Sequence, residues 1–148
     1  MIDEIKRDLK SLDEEVQQHS IHLIGYAFEK HRGCDDGAVP VELNQLDINN
    51  DVVNDLKDAL INYLANQPSE LNRGSAYNAL GKVYDSSLKE FLVDALNKEV
   101  EQSPTVLYQI MVALGNLGED CFDGKESLSM FDFEENIMSA KKYLTGKK

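Results

Sequence analysis

His19 and His22 stand three positions apart in a stretch with helical spacing, and such a pair can bring two imidazoles to one metal ion. No third ligand stands at helical spacing beside them. His19 also falls on an apolar stripe, so the pattern favours a histidine packed in a core or an interface. His31 and Cys34 are close enough in the chain for a thiolate–imidazole pair, but no neighbour supplies a residue to orient the imidazole. The run Glu119-Asp120-Cys121-Phe122-Asp123-Gly124 has the acidity of a calcium-binding loop. It lacks the Asp-x-Asp-x-Asp-Gly order and the closing Glu at loop position twelve. The chain contains no Gly-rich phosphate loop, no Gly-x-Ser-x-Gly elbow and no Glu-x-x-His diiron pair. Catalysis, a metal and a cofactor therefore have no residues to rest on, and the expectation is a binding protein, not an enzyme.

What remains for function is the surface, and it is acidic. The 148 residues carry a formal charge of −12, and two stretches, 33–66 and 117–136, hold seven acids against one base each. Such a field repels nucleic acid and anionic lipid and speeds encounter with a basic partner. Asp35 and Asp36 lie in the first stretch. Asp51, Asp55 and Asp58 follow at steps of four and three, an acidic ridge on the exposed side of a predicted helix. Glu119, Asp120, Asp123 and Glu126 crowd the second stretch, where close carboxylates repel one another and are expected to gain nothing locally. Tyr77 and Tyr108 fall off the strictest apolar positions of their helices, where a rigid amphipathic ring could anchor a partner or sit half-buried in the core. These eleven residues are the expected partner-binding set.

The elements that must position them read as helices throughout. Ile2, Ile5, Leu9, Leu12, Val16, Leu23 and Tyr26 recur at steps of three and four, with His19 filling the gap, and predict one helix from Ile2 to about Arg32, with Gly25 a candidate bend. Gly33 to Asp47 reads as a loop. Asn49 or Asn50 opens a helix on Val53, Leu56, Leu60 and Tyr63; Ser69 opens the next, on Leu71, Ala76, Leu80 and Val83. Asp85 or Ser86 opens another on Leu88, Leu92 and Leu96. Pro104 suits the first turn of a fifth, and a last helix from about Met130 to Leu144 places Phe133, Ile137, Ala140 and Leu144 inward. No apolar run approaches a membrane span, and the start lacks the order of a signal peptide, so a cytoplasmic protein with free thiols is expected.

A repeat runs through this helical series. Asp58-Ala59-Leu60 returns as Asp94-Ala95-Leu96, and Ala79-Leu80-Gly81 returns 34 residues on as Ala113-Leu114-Gly115, each time across a Pro-containing turn. Small residues at such positions let helix axes approach closely. Over residues 50–118 this resembles the HEAT-repeat α-solenoids. The resemblance implies an all-α fold of about six helices in antiparallel pairs. Residues 1–48 would form an N-terminal cap, 49–118 two helix-pair repeats, and 119–148 an acidic loop and a C-terminal helix. Small size, acidity, helical repeats and the lack of a catalytic signature together are similar to the immunity proteins of bacterial toxin systems, including contact-dependent growth inhibition. That profile implies a monomer that neutralises a basic, nuclease-type toxin domain by covering its active site or substrate groove. Two other readings stand beside it: a HEAT-like adaptor that binds a helix or tail of another protein, and an accessory enzyme with a ligand cavity near His31 and Cys34.

Overall fold

The computed structural model describes residues 1–33, 39–125 and 129–146; the expectations placed on Cys34, Asp35, Asp36 and Glu126 lie outside them. The described residues are all-α and contain no strand. Seven α-helices follow one another: α1 (Ile2–Asp8), α2 (Glu14–His31), α3 (Asn50–Ala65), α4 (Glu70–Gly81), α5 (Lys89–Glu99), α6 (Pro104–Asn116) and α7 (Phe133–Thr145). Short 3₁₀ turns cover Val41–Leu43 and Ser86–Leu88. No described helix is long and apolar enough to cross a membrane. The chain divides into two compact units, Met1–Val83 and Tyr84–Lys148, so the two helix pairs of the repeat fall one in each.

In the first unit the single long helix expected from Ile2 to Arg32 is two helices. The Ser11 hydroxyl accepts from Asp13 N at 3.0 Å, and the Asp13 carboxylate accepts from Glu15 N at 2.9 Å, capping α2. These side chains satisfy the backbone at a turn, and the helix ends and restarts there. Leu12, counted on the apolar stripe, is fully exposed as a result. The helix α1 instead packs on α2 and buries Ile5 and Leu9. Within α2 the buried face is Ile21, Leu23, Ile24, Ala27 and Phe28, and His19 is exposed, not packed.

Gly25 does not bend α2, which runs unbroken through it to His31. It sits against α4, where an added Cβ would lie 3.6 Å from the Ala79 Cβ and 3.6 Å from the Lys82 Cδ. The helix α4 packs more extensively on α2 than on its chain neighbour α3. The loop before α3 is clamped to α2 by Lys30, whose ammonium donates to the carbonyls of Leu43 at 2.7 Å, Asn44 at 3.2 Å and Leu46 at 2.6 Å. Leu43 is thereby held fully buried.

The repeat has a structural counterpart in its caps. Ser69 accepts from Asn72 N at 3.3 Å to open α4, and Ser103 accepts from Val106 N at 3.2 Å to open α6. Pro104 follows as the first residue of α6, where its missing N–H is no loss. Ala79 and Leu80 are buried, as are Ala113 and Leu114. The small-residue rationale holds at Ala79 but not at Gly115, where an added Cβ would meet nothing within 4 Å. Leu71, expected inside, is exposed. In the second unit α5, α6 and α7 pack on one another, and the loop after α6 buries Cys121 and Phe122 among them.

The Gly25 contact can be measured. A Cβ at 3.6 Å is an ordinary contact, so Gly25→Ala should stabilise the fold by up to about 1 kcal/mol through helix propensity. Gly25→Leu, which needs room that α4 occupies, should cost about 1–3 kcal/mol. Urea unfolding reads both; equal losses would show that Ala79 already sets the limit of approach.

Candidate functional site

The acidic loop after α6 departs from the sequence expectation that its carboxylates gain nothing locally. Glu119 accepts the Tyr143 hydroxyl at 2.7 Å and pairs with Lys89 at 3.2 Å, joining the loop to α7 and to the start of α5. Asp120 accepts from Gly124 N at 2.7 Å across a tight turn. Gly124 (φ +73°) and Asp123 (φ +58°) both occupy the left-handed region there, which Gly adopts without cost and Asp more readily than most residues. Asp123 pairs with Lys142 of α7 at 2.8 Å, and Lys125 pairs with Glu135 at 2.8 Å. Each of these acids therefore has a cation or donor within its own unit, and the loop is bound to α7 rather than held out as an acidic finger.

The ridge on α3 is likewise divided. Asp55 takes the Lys6 ammonium at 3.0 and 3.1 Å, tying α3 to α1. Asp51 and Asp58 are exposed and carry no ion pair among the described residues. Tyr77 is 7% exposed, so its ring belongs to the core and presents no anchor. Tyr108 is half-buried with its ring edge-on to Phe122 at 6.0 Å, one of the two readings its position allowed.

An aromatic group at the head of α7 was missed in the sequence. Phe131 is 73% exposed, Phe133 39% and Met138 66%, and the two phenyl rings lie 6.4 Å apart. Phe133 was expected inside, but α7 begins at Phe133, and its inward face is Asn136, Ser139 and Ala140. The turn before it is closely tied. Ser129 N donates to Asp132 Oδ2 at 3.2 Å, and Phe131 N donates to Ser129 Oγ at 3.1 Å. Asn136, fully buried, donates from Nδ2 to the Ser129 carbonyl at 3.0 Å. The rings are thus presented from a fixed turn beside Asp132, Glu134 and Glu135, all exposed. The available signal was the pair Phe131 and Phe133 two apart, which cannot both face one side of a helix.

Among the described residues no group of three or more His, Cys, Asp or Glu could hold a metal ion. His22 is exposed at a hollow lined by Tyr26, Asn78 and Lys82, with Lys82 over the Tyr26 ring at 5.6 Å and paired with Glu29 at 2.9 Å. Desolvation first, then the charges of Lys82 and His19, hold the His22 imidazole below its ordinary pKa of 6.5. His31 Nε2 lies 2.9 Å from the Asn50 Oδ1 at the head of α3, an orienting partner that the sequence did not reveal.

No protein family, curated protein or solved structure matches this chain.

Three outcomes follow from this geometry. Glu119→Ala, which strips a hydrogen bond and an ion pair from the joint between loop and α7, should cost about 1–2 kcal/mol. Asp51→Ala and Asp58→Ala, on open surface, should stay within about 0.5 kcal/mol of the parent in the same chemical melts. For His22, a folded-state pKa below the ordinary value means that the unfolded chain takes the proton first as pH falls. Stability from this group is therefore lost as pH drops below about 6.5, and His22→Gln should flatten the stability profile between pH 7 and 5.5.

Proposed function

We propose that this chain is a binding protein that engages a basic protein domain through the head of α7, with Phe131 and Phe133 as anchors and Asp132 and Glu134 as counter-charges. The observation that carries this reading is the exposed aromatic pair on a fixed turn among carboxylates. Large rigid rings give the most binding energy for the least lost freedom, and hot spots concentrate in such residues. Met138, also exposed on α7, offers a further apolar side chain that adapts to a partner. The −12 charge of the whole chain supports the same partner chemistry, because it accelerates encounter with a cationic surface and disfavours nucleic acid.

The partner this surface fits best is a basic toxin domain of the nuclease kind. Its Lys and Arg, evolved to hold phosphates, would meet carboxylates here, and the chain would act as its immunity protein by covering the groove that takes substrate. Asp51 and Asp58, the unpaired acids of the α3 ridge, add to the long-range field in this reading. The repeated helix pairs with their matching Ser caps are the scaffold, in the manner of HEAT-like solenoids.

Co-expression with the product of the adjacent gene, followed by pull-down across a salt series, tests the reading. The expected result is a complex that weakens as salt rises and that rescues cells from that product. Phe131→Ala with Phe133→Ala should weaken the complex at least tenfold, and Phe131→Ala alone, whose ring is 73% exposed, should weaken it while leaving the thermal midpoint unchanged. A complex with unaltered affinity in that double variant would remove the α7 surface from the proposal.

A further inference from the structure

Asp123-Gly124 is the one Asp-Gly step among the described residues; the other in the chain, Asp36-Gly37, lies outside them, and Asn-Gly does not occur. Such a step can rearrange, because glycine carries no Cβ to shield its own nitrogen from the side-chain carboxyl that precedes it. The Gly124 nitrogen attacks the Asp123 Cγ. A C–N bond forms, the Cγ–OH bond breaks, and the hydroxyl leaves as water with the amide proton. The five-membered succinimide that results takes one water back. Cleavage at Cγ restores aspartate, whereas cleavage at the Asp123 main-chain carbonyl carbon leaves Gly124 joined through Cγ, an isoaspartate. The net composition is unchanged, and no oxidant or cofactor is needed.

Two side chains stand across this path. Asp120 Oδ1 accepts from Gly124 N at 2.7 Å, so the proton that must leave is held against a carboxylate, and the charge that would develop on nitrogen faces a negative neighbour. Lys142 Nζ lies 2.8 Å from Asp123 Oδ1, an ion pair that the carboxyl must break before Cγ can turn onto the nitrogen. The backbone adds to the hold. Asp123 and Gly124 stand in the left-handed region at φ +58° and +73°, and Lys125 N closes the turn on the Phe122 carbonyl at 3.2 Å. Cys121 and Phe122, both buried, fix the chain just before it. The Asp123 side chain is nonetheless 36% exposed, so water for the second step has access once the first has occurred.

We propose that Asp123-Gly124 is a modification site at which the acidic loop converts itself to isoaspartate, and that Asp120 and Lys142 set its rate by holding the two reacting groups apart. The site reacts in molecules whose loop has parted from Lys142, a local opening of the kind that folded chains undergo. Its product carries an extra methylene in the main chain and its free carboxyl on Cα, so the turn loses the geometry that pairs Asp123 with Lys142. The reaction needs no partner, and it stands or falls apart from the α7 surface proposed above.

The full chain, Lys142→Ala, Asp120→Ala and a synthetic peptide of residues 119–125 are kept warm in mildly acidic buffer for several weeks. Each is then digested and scored for isoaspartate at position 123 by electron-transfer fragmentation. The expected result is accumulation at least tenfold slower in the folded parent than in the peptide. Each variant, altered on an exposed side chain, should react several-fold faster than the parent with its circular dichroism unchanged. Lys141→Ala, which removes a neighbouring cation that pairs with Glu101 instead, should react at the parent's rate. The proposal is overturned if the folded parent reacts as fast as the peptide, or if the two variants react no faster than the parent. A slower reaction in Asp120→Ala makes that carboxylate a base that promotes attack, which overturns it equally. A Lys141→Ala rate matching that of Lys142→Ala reduces the effect to general loosening of α7 and does the same.

Discussion

One carboxamide holds the first unit together. Gln17, on α2, accepts from α3 through Tyr63 and from α4 through Asn72, and donates to the turn that follows α1. Asn72, itself buried, also donates to the Glu14 carbonyl, so the first turn of α2 is bound from both sides. The cluster is part-buried, where an unmet polar group still costs free energy, and here each of these donors finds an acceptor. The packed apolar faces of the four helices and this directional network together set their register. The folding back of α1 and the contact of Gly25 with Ala79 both presuppose that register.

Charge in this protein is arranged by the same logic of local satisfaction. An acidic loop normally opens to solvent because its carboxylates repel, yet here Lys89 and the Tyr143 hydroxyl meet Glu119, Lys142 meets Asp123, and the loop's own Lys125 reaches Glu135 of α7. Exposed ion pairs are individually weak, but two of them together with the phenol hydrogen bond tie the loop to α7, while Lys89 ties it to the start of α5. That relation places the Ser129–Asp132 turn, and with it the phenyl rings. In the proposed binding role, the acids would act largely by building the platform on which apolar side chains stand.

The helices were legible in the sequence because apolar periodicity and capping residues agree. Of the alternatives offered, Asn49 caps α3 and Asp85 caps the 3₁₀ turn that leads into α5; Ser69 caps α4, and Pro104 is the first residue of α6 as expected. The break at Ser11 was lost because the apolar stripe continues through it by coincidence of spacing, although Ser11 and Asp13 are residues that compete for backbone hydrogen bonds. Gly25 read as a bend because glycine weakens a helix, and only the neighbouring α4 reveals its steric purpose. Lys6–Asp55 and Lys142–Asp123 join residues far apart in the chain, and a single sequence holds no signal for such pairs. Phe133 was misplaced because the helix that carries it starts later than its apolar pattern, at a turn set by hydrogen bonds to Ser129.

Cys121 lies fully buried in the loop that these ion pairs secure, in contact with neither solvent nor reagent while the second unit is closed. A thiol in that position reacts only when the structure around it opens, so its alkylation rate counts openings of the unit. The residue thereby turns the joint between the acidic loop and α7 into a clock, whose rate separates the local free energy of the second unit from that of the chain as a whole.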